Sequence, residues 1–257
     1  MSALEITKDL QQAADDEAAK YGLTSELHPE DELLRHIHKK WGTVAGTKYF
    51  QGGRTDALKI KQQIQLLRHP KESLKIMDFA AGFGRITRHL TPLMPEHQVM
   101  ASDIHSNACE FLQETLNIPA FVSSTDPSEL SIGKDYDVIF VMSLFSHLPD
   151  KTFGLWLGAL FERVAPGGFL FFTANGRVTL DTYPAFYNEI FPDGARFGFR
   201  TESDQLDLDS ADYGSMIVSI RYVLDMIDQY APLAILQSYS SGGWLGTQDG
   251  WVLKKPI

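Results

Sequence analysis

Residues 75–86 constrain the fold of this chain more than any other segment. A short apolar strand ends at Asp78, the small residues Ala80, Gly82 and Gly84 form a turn, and a helix then begins. Small residues let the backbone approach a ligand, and glycine adopts turn dihedrals that other residues avoid. The helix start adds unpaired N–H groups and a positive dipole end. This order predicts a nucleotide-cofactor site, against the alternative of a tight turn without a ligand.

The charge around this turn indicates which cofactor it binds. A dinucleotide site requires G-x-G-x-x-G, but Thr87 stands where the third glycine would be. The carboxylate of Asp78 would repel a pyrophosphate and attract an ammonium group. S-adenosylmethionine carries an ammonium, a sulfonium and a ribose diol, and no phosphate. Asp103 ends the next apolar run, 25 residues after Asp78, where it can accept hydrogen bonds from ribose hydroxyls or cap the following helix.

At this point the sequence resembles the class I S-adenosylmethionine-dependent methyltransferases. Their first motif reads roughly D-x-G-x-G-x-G, and residues 78–84 match it with Ala80 in place of the first glycine. Asp103 matches the ribose-binding acid of the family. Asp126 matches the acidic position near the adenine, although it can also cap a helix that begins at Pro127. Residues 135–141 and 164–172 resemble the fourth and fifth strands.

The resemblance implies a cofactor site and a set of residues that form it. Arg54 and Arg85 are candidate partners for the cofactor carboxylate, and Tyr49 and Phe50 can close over the cofactor or simply pack on the core. The predicted cofactor-binding residues are Tyr49, Arg54, Asp78, Ala80, Gly82, Gly84, Asp103, Ile104, Thr125, Asp126, Met142 and Phe145. The cofactor is S-adenosylmethionine, and the product is S-adenosylhomocysteine. No Cys/His cluster predicts a metal site.

The expected fold is α/β: a Rossmann-like, seven-stranded, mostly parallel sheet with an antiparallel last strand and helices on both faces. We expect residues 1–73 to form an N-terminal helical extension, with an aromatic and glycine-rich loop at residues 41–54. Residues 74–257 form the methyltransferase domain, with an insertion at about 176–214 after the fifth strand. Gly242, Gly243 and Gly246 predict a hairpin turn between the last two strands. Because ligands bind at the carboxyl ends of strands in such sheets, we expect the insertion and residues 49–54 to form a lid over the acceptor.

Composition restricts the class of partner. The formal net charge of −10 argues against a nucleic-acid substrate, which requires clustered basic residues. The single cysteine, Cys109, excludes an internal disulfide and predicts the reducing cytoplasm. No apolar run approaches the length of about 20 residues that spans a membrane. The sequence does not indicate an oligomeric state.

His147 follows the fourth strand, where the transferred methyl group is expected. Histidine titrates near neutral pH and can act as a general base, or it can pack and hydrogen-bond at this position. The predicted function is methyl transfer from S-adenosylmethionine to a small molecule, a metabolite or saccharide, with an oxygen acceptor favoured. The alternatives are a protein methyltransferase and a non-catalytic module that binds the cofactor. The missing third glycine disfavours a nicotinamide oxidoreductase.

Overall fold

A computed structural model shows the fold and describes residues 3–202, 205 and 208–257. Three short 3-10 helices, Gly42–Val44, Pro127–Glu129 and Leu144–Ser146, join the main elements of this part of the chain. The helices are α1 (Lys8–Ala19), α2 (Glu32–Trp41), α3 (Ala45–Leu67), α4 (Thr87–Leu93), α5 (Ser106–Glu114), α6 (Asp150–Arg163), α7 (Arg177–Thr182), α8 (Pro184–Tyr187) and α9 (Ile220–Tyr230). The strands are β1 (Lys75–Phe79), β2 (Gln98–Asp103), β3 (Ala120–Val122), β4 (Tyr136–Val141), β5 (Val164–Ala174), β6 (Phe197–Arg200), β7 (Ser215–Val218), β8 (Ile235–Trp244) and β9 (Gln248–Lys254).

Seven strands form one sheet in the order β3-β2-β1-β4-β5-β9-β8. The pairs β2–β3, β1–β4 and β4–β5 are parallel, whereas β9 runs antiparallel to both β5 and β8. All six residues of β4 are buried, as expected for a parallel strand that is covered on both faces. The predicted fold class is therefore confirmed.

By its internal contacts the chain divides into two compact units. The first contains Met1–Leu74 and Ala80–Ser123, and the second contains Lys75–Phe79 and Ser124–Ile257. In the first unit, the N-terminal helices share a core that includes Leu10, Leu34, Tyr49 and Phe50. The boundary between residues 73 and 74 and the insertion at 176–214 stay predictions.

The prediction of a loop at residues 41–54 is wrong. Trp41 ends α2, a 3-10 turn follows, and residues 45–54 begin the 23-residue helix α3. The buried positions of α3 recur at helical spacing, which gives the helix one apolar face. They include Ala45, Tyr49, Phe50, Gly53, Ala57, Ile60 and Ile64. Gly46 and Gly53 therefore lie inside a helix, where they permit close packing, and do not form a turn.

The predicted hairpin between the last two strands is present, with Gly246 in its turn, but the other two glycines lie elsewhere. Gly242 and Gly243 lie inside β8, which continues to Trp244, so the reversal occurs at residues 245–247. Gly242 keeps a left-handed φ of 61° within the strand, and its amide donates to Oδ1 of Asp249 at 2.8 Å. Within the predicted insertion, α7, α8 and β6 are ordered elements, and residues 203, 204, 206 and 207 lie outside the described residues. β6 pairs with β7 in a separate two-stranded sheet.

Candidate functional site

The glycine turn lies in the first unit and has the backbone geometry that its sequence predicts. Ala80, Gly82 and Gly84 all have left-handed φ angles, of 62°, 54° and 75°. Among the described residues, no atom lies within 4 Å of a Cβ atom built on Gly82. A Cβ on Gly84 would instead meet the side-chain tips of Leu112 and Leu116. Gly82 therefore borders open space, while Gly84 permits close packing against α5.

Asp103 is hydrogen-bonded to this turn. The amide of Gly82 donates to Oδ2 of Asp103 at 2.7 Å, and the amide of Ala81 donates to the carbonyl of Ser102 at 3.0 Å. Oδ1 of Asp103 accepts from the amide of His105 at 3.0 Å and lies 2.8 Å from its Nδ1. His105, and not Asp103, occupies the cap position of α5. The end of β2 thus holds a buried carboxylate directly beside the glycine turn.

Arg88 also forms hydrogen bonds with the glycine turn. Its guanidinium donates to the carbonyls of Phe83 and Gly84 at 3.0 and 3.2 Å, and to those of Thr24 and Glu26 at 3.3 and 3.0 Å. The charge is enclosed by three aromatic rings, those of Tyr49, Phe50 and Phe111. Carbonyl acceptors and ring faces both stabilise a buried cation. One side chain therefore joins the glycine turn to residues 24 and 26 of the N-terminal region.

In the second unit, the segment after β4 carries the predicted catalytic residue. Ser143 has a left-handed φ of 66°, and Phe145 is buried against the rings of Phe153 and Phe172. The His147 ring stacks on Tyr213 at 4.5 Å between ring centroids. Nδ1 of His147 lies 2.7 Å from the carbonyl oxygen of Gly214. Because a carbonyl only accepts, Nδ1 carries the proton in this contact, and Nε2 is the basic nitrogen of the neutral ring.

β7 links the exits of β4 and β5. The amide of Gly214 donates to the carbonyl of His147 at 2.9 Å, and the amide of Val218 donates to the carbonyl of Asn175 at 3.0 Å. Nδ2 of Asn175 donates to the carbonyl of Met216 at 3.0 Å. Residues 214, 216 and 218 present their backbone groups to one side of the strand because alternate residues share an edge. His147 and Asn175 therefore lie next to each other along that edge.

Comparisons with known proteins agree with this geometry. A family model described as a methyltransferase domain matches residues 77–170, and a search of curated proteins found no match. A methyltransferase from Clostridium acetobutylicum ATCC 824 has a TM-score of 0.57 at 12% identity, covering 88% of this chain and 98% of that one. Magnesium protoporphyrin IX methyltransferase from Synechocystis PCC 6803, with bound S-adenosylhomocysteine, has a TM-score of 0.58 at 12% identity, with coverages of 88% and 93%. An amino pentose methyltransferase from Micromonospora echinaspora has a TM-score of 0.55 at 12% identity, with coverages of 79% and 91%.

Residues 77–170 are a methyltransferase domain, and the chain has the fold of the S-adenosylmethionine-dependent methyltransferases. The Micromonospora enzyme was solved with S-adenosylmethionine bound. The turn of the methyltransferase suits a ligand without phosphate, since the buried carboxylate of Asp103 stands beside it and Thr87 replaces the third glycine of a dinucleotide motif.

The other predicted cofactor residues of the methyltransferase lie in different surroundings. In the first unit, the hydroxyl of Tyr49 donates to Oδ2 of Asp31 at 2.6 Å, and burial raises the pKa of both groups. The guanidinium of Arg54 lies 4.9 Å from the ring of Tyr21, and Ile104 is half-buried. Arg85, the alternative partner of the cofactor carboxylate, pairs with Asp56 at 2.6 Å. Binding of the cofactor by these residues stays a prediction.

In the second unit, Asp78 and Met142 are buried, at the ends of β1 and β4. Thr125 and Asp126 are exposed. Oδ1 of Asp126 accepts from the amide of Ser128 at 2.8 Å and from its hydroxyl at 2.7 Å, and these bonds lower the pKa of the carboxyl. The capping role weighed for Asp126 is therefore present, and its contact with adenine stays a prediction.

Sequence reasoning missed two polar residues, Asn175 and Gln248, at the ends of strands of the main sheet. Asn175 directly follows β5, and its Nδ2 also donates to the hydroxyl of Tyr187 at 3.1 Å. Gln248 joins Thr173 and Ser143, with hydrogen bonds of 2.7 and 2.9 Å. The available signal was a polar residue at the end of an apolar strand, the same signal that identified Asp78 and Asp103. Among the described residues, no helix is both long and apolar enough to cross a membrane, and no group of His, Cys, Asp and Glu is arranged to hold a metal.

Proposed function

We propose that this methyltransferase transfers the methyl group of S-adenosylmethionine to an oxygen atom of a small molecule, with His147 as the general base. The observation that carries this proposal is the orientation of His147. Its Nδ1 is bound to the carbonyl of Gly214 at 2.7 Å, so the neutral ring offers Nε2 as the proton acceptor. A hydroxyl acceptor loses a proton as it is methylated, and this nitrogen can take it.

The cofactor already activates the methyl group as a sulfonium. The main task of the protein is to hold the acceptor in line with the methyl group, and oriented reactions of this kind reach effective molarities of about 10⁵ M or more. A base is needed only when the acceptor atom carries a proton in its resting state. The oriented histidine after β4 therefore favours a hydroxyl acceptor over one whose nucleophilic atom carries no proton.

Two observations support a small acceptor. The segment after β5 supplies the aromatic residues Phe186, Tyr187 and Phe191 at the carboxyl edge of the sheet, where ligands bind in α/β folds. The net charge of −10 disfavours a nucleic acid, so we propose a metabolite or saccharide as the acceptor. The single cysteine, Cys109, is buried and free, which supports the proposal of a cytoplasmic enzyme.

The cofactor contacts in the first unit are part of the proposal. Asp103 accepts hydrogen bonds from the ribose hydroxyls, and the backbone at Gly82 lies against the cofactor. Support comes from the hydrogen bond between Gly82 and Asp103 and from the open space above Gly82. The carboxylate already accepts from the amides of Gly82 and His105 and lies 2.8 Å from Nδ1 of His105, so the ribose hydroxyls would use its remaining lone pair and displace the His105 ring.

The test is His147→Asn. The asparagine amide can replace Nδ1 as donor to Gly214, while the basic nitrogen is lost. We expect kcat to fall by a factor of about 10² to 10⁴ on an oxygen acceptor, with unchanged affinity for S-adenosylmethionine. Release of S-adenosylhomocysteine, measured over metabolites that bear hydroxyl, carboxyl, amine or thiol groups, identifies the acceptor.

His36→Asn, at an exposed position in α2, is the matched control and should retain full activity. Wild-type kcat in His147→Asn on an oxygen acceptor would reject the base. Turnover confined to amines or to proteins would reject the acceptor class.

A further inference from the structure

Tyr187 is a buried residue whose hydroxyl proton has no acceptor among the described residues. Tyr187 is 8% exposed, and its oxygen accepts from Nδ2 of Asn175 at 3.1 Å. That amide must be the donor in both of its bonds, because its other contact is the carbonyl of Met216 at 3.0 Å. Among the described residues, no group accepts the phenolic proton in return. A buried donor left without an acceptor costs free energy, so this group is suited to a ligand.

The position of this hydroxyl is fixed by the backbone. Asn175 follows the last residue of β5, at the carboxyl edge of the sheet, where ligands bind in this fold class. The carbonyls of Gly214 and Met216, which hold His147 and Asn175, are two residues apart, or roughly 6.6 Å along a strand. The general base proposed above and the Asn175–Tyr187 pair are therefore anchored on the same edge of β7.

The chemistry of the phenol restricts what it can bind. Burial raises the pKa of Tyr187 to about 12, so the phenol keeps its proton near neutral pH and can donate it. The guanidinium of Arg200 lies 4.7 Å from the ring of Phe186 and donates to the carbonyl of that residue at 3.0 Å, which holds α8 in place. A neutral phenol that donates its proton favours an oxygen that accepts hydrogen bonds, such as a carbonyl or a carboxylate.

We infer that Tyr187 is a substrate-binding residue that donates a hydrogen bond to a carbonyl or carboxylate oxygen of the acceptor, and that Asn175 positions it. This inference rests on the proposed function, which places the acceptor beside His147. It also adds a requirement for the structure of the acceptor. The acceptor carries two oxygens, one methylated beside His147 and one bound by Tyr187.

The first experiment measures binding without turnover. The full-length protein carries 3-fluorotyrosine at position 187, and its ¹⁹F spectrum is recorded with S-adenosylhomocysteine present. The probes are 2-hydroxybenzoate, 4-hydroxybenzoate, 4-hydroxybenzaldehyde, phenol and 3-hydroxybutyrate at millimolar concentration. We expect the acids or the aldehyde to shift the resonance and phenol to leave it in place. A response to the acids alone identifies a carboxylate, and a response to the aldehyde as well identifies any carbonyl oxygen.

The second experiment measures turnover of the best probe. Tyr187→Phe should raise its KM about tenfold or more with little change in kcat, because only a ground-state hydrogen bond is lost. Asn175→Ala should raise the same KM, and the double variant should be no worse than Tyr187→Phe, since both remove one interaction. Tyr183→Phe, at an exposed tyrosine of the same segment, is the matched control and should behave as wild type.

Two results of the first experiment would overturn the inference: no shift with any acid or aldehyde, or equal shifts with phenol. An unchanged KM in Tyr187→Phe would do the same. If probes shift the resonance and none is methylated, the oxygen acceptor proposed above fails while the binding role of Tyr187 stands.

Discussion

At Gly82, the effect of a side chain on stability can be measured separately from its effect on ligand binding. Its φ of 54° is left-handed, and a Cβ atom there would meet no described protein atom within 4 Å. Gly22 shares both properties, with a φ of 65° and nothing within 4 Å. A side chain at either position therefore strains the backbone by a similar amount, roughly 1–2 kcal/mol.

We predict that Gly82→Ala and Gly22→Ala lower the free energy of unfolding about equally, by roughly 1 kcal/mol. Only Gly82→Ala should weaken binding of S-adenosylhomocysteine, by about tenfold or more, because the new methyl group enters the space proposed for the cofactor. Urea denaturation gives the first quantity and calorimetric titration the second. Wild-type affinity in folded Gly82→Ala would show that the backbone does not meet a ligand there.

Single residues also show what sequence can predict about the site. Asp103 and the glycine turn could be identified because a carboxylate at a strand end and left-handed small residues are local signals. Asn175 and Tyr187 could not, because their contact depends on how α8 and β7 fold back on the end of β5. Such residues cannot be identified from the sequence, because the contacts that define them join segments that are not adjacent in the chain.

Helix α3 shows the same limit for a whole element. Its glycine pair, Gly52 and Gly53, indicated a loop, because glycine disfavours a helix interior by about 1 kcal/mol relative to alanine. The structure explains why glycine occurs inside this helix. A Cβ on Gly53 would collide with the backbone carbonyl of Arg85, so only glycine lets α3 pack closely against the segment that follows the glycine turn. The parallel strands could be predicted because runs such as β4 are apolar at every position.

The two glycines of α3 are a matched pair for mutation. A Cβ on Gly52 would meet only Nη1 of Arg85 at 3.0 Å, the end of a side chain that can shift by a few tenths of an ångström, whereas Gly53 faces backbone. We predict that Gly52→Ala is neutral or stabilising by up to about 1 kcal/mol through helix propensity. Gly53→Ala should destabilise by about 1–3 kcal/mol through overpacking. Urea denaturation of both variants checks this, and a Gly53→Ala protein as stable as Gly52→Ala would disprove the close contact.

Considered as a whole molecule, the enzyme should be stabilised by its cofactor product and not by a dinucleotide. Thr87 is fully buried where a dinucleotide motif needs its third glycine. S-adenosylhomocysteine at a hundred times its Kd should add about 2.7 kcal/mol to the free energy of unfolding. For a chain of this size that raises Tm by about 5 °C or more.

Differential scanning fluorimetry with S-adenosylhomocysteine and with NAD⁺ at equal concentration measures this difference. NAD⁺ should leave Tm unchanged, and Asp103→Ala should reduce the shift produced by S-adenosylhomocysteine. An equal rise in Tm with NAD⁺ would contradict the selectivity for a ligand without phosphate.

The enclosure of Arg88 has a consequence for synthesis of the chain. A ribosome delivers Thr24 and Glu26 more than sixty residues before the guanidinium that their carbonyls bind. The rings of Tyr49 and Phe50 also emerge before the cation that they surround. The first unit contains residues up to 123, so its packing cannot be completed while the nascent chain is shorter. In the cell, translation speed across residues 74–123 therefore sets how long these apolar surfaces are open to chaperones or to aggregation.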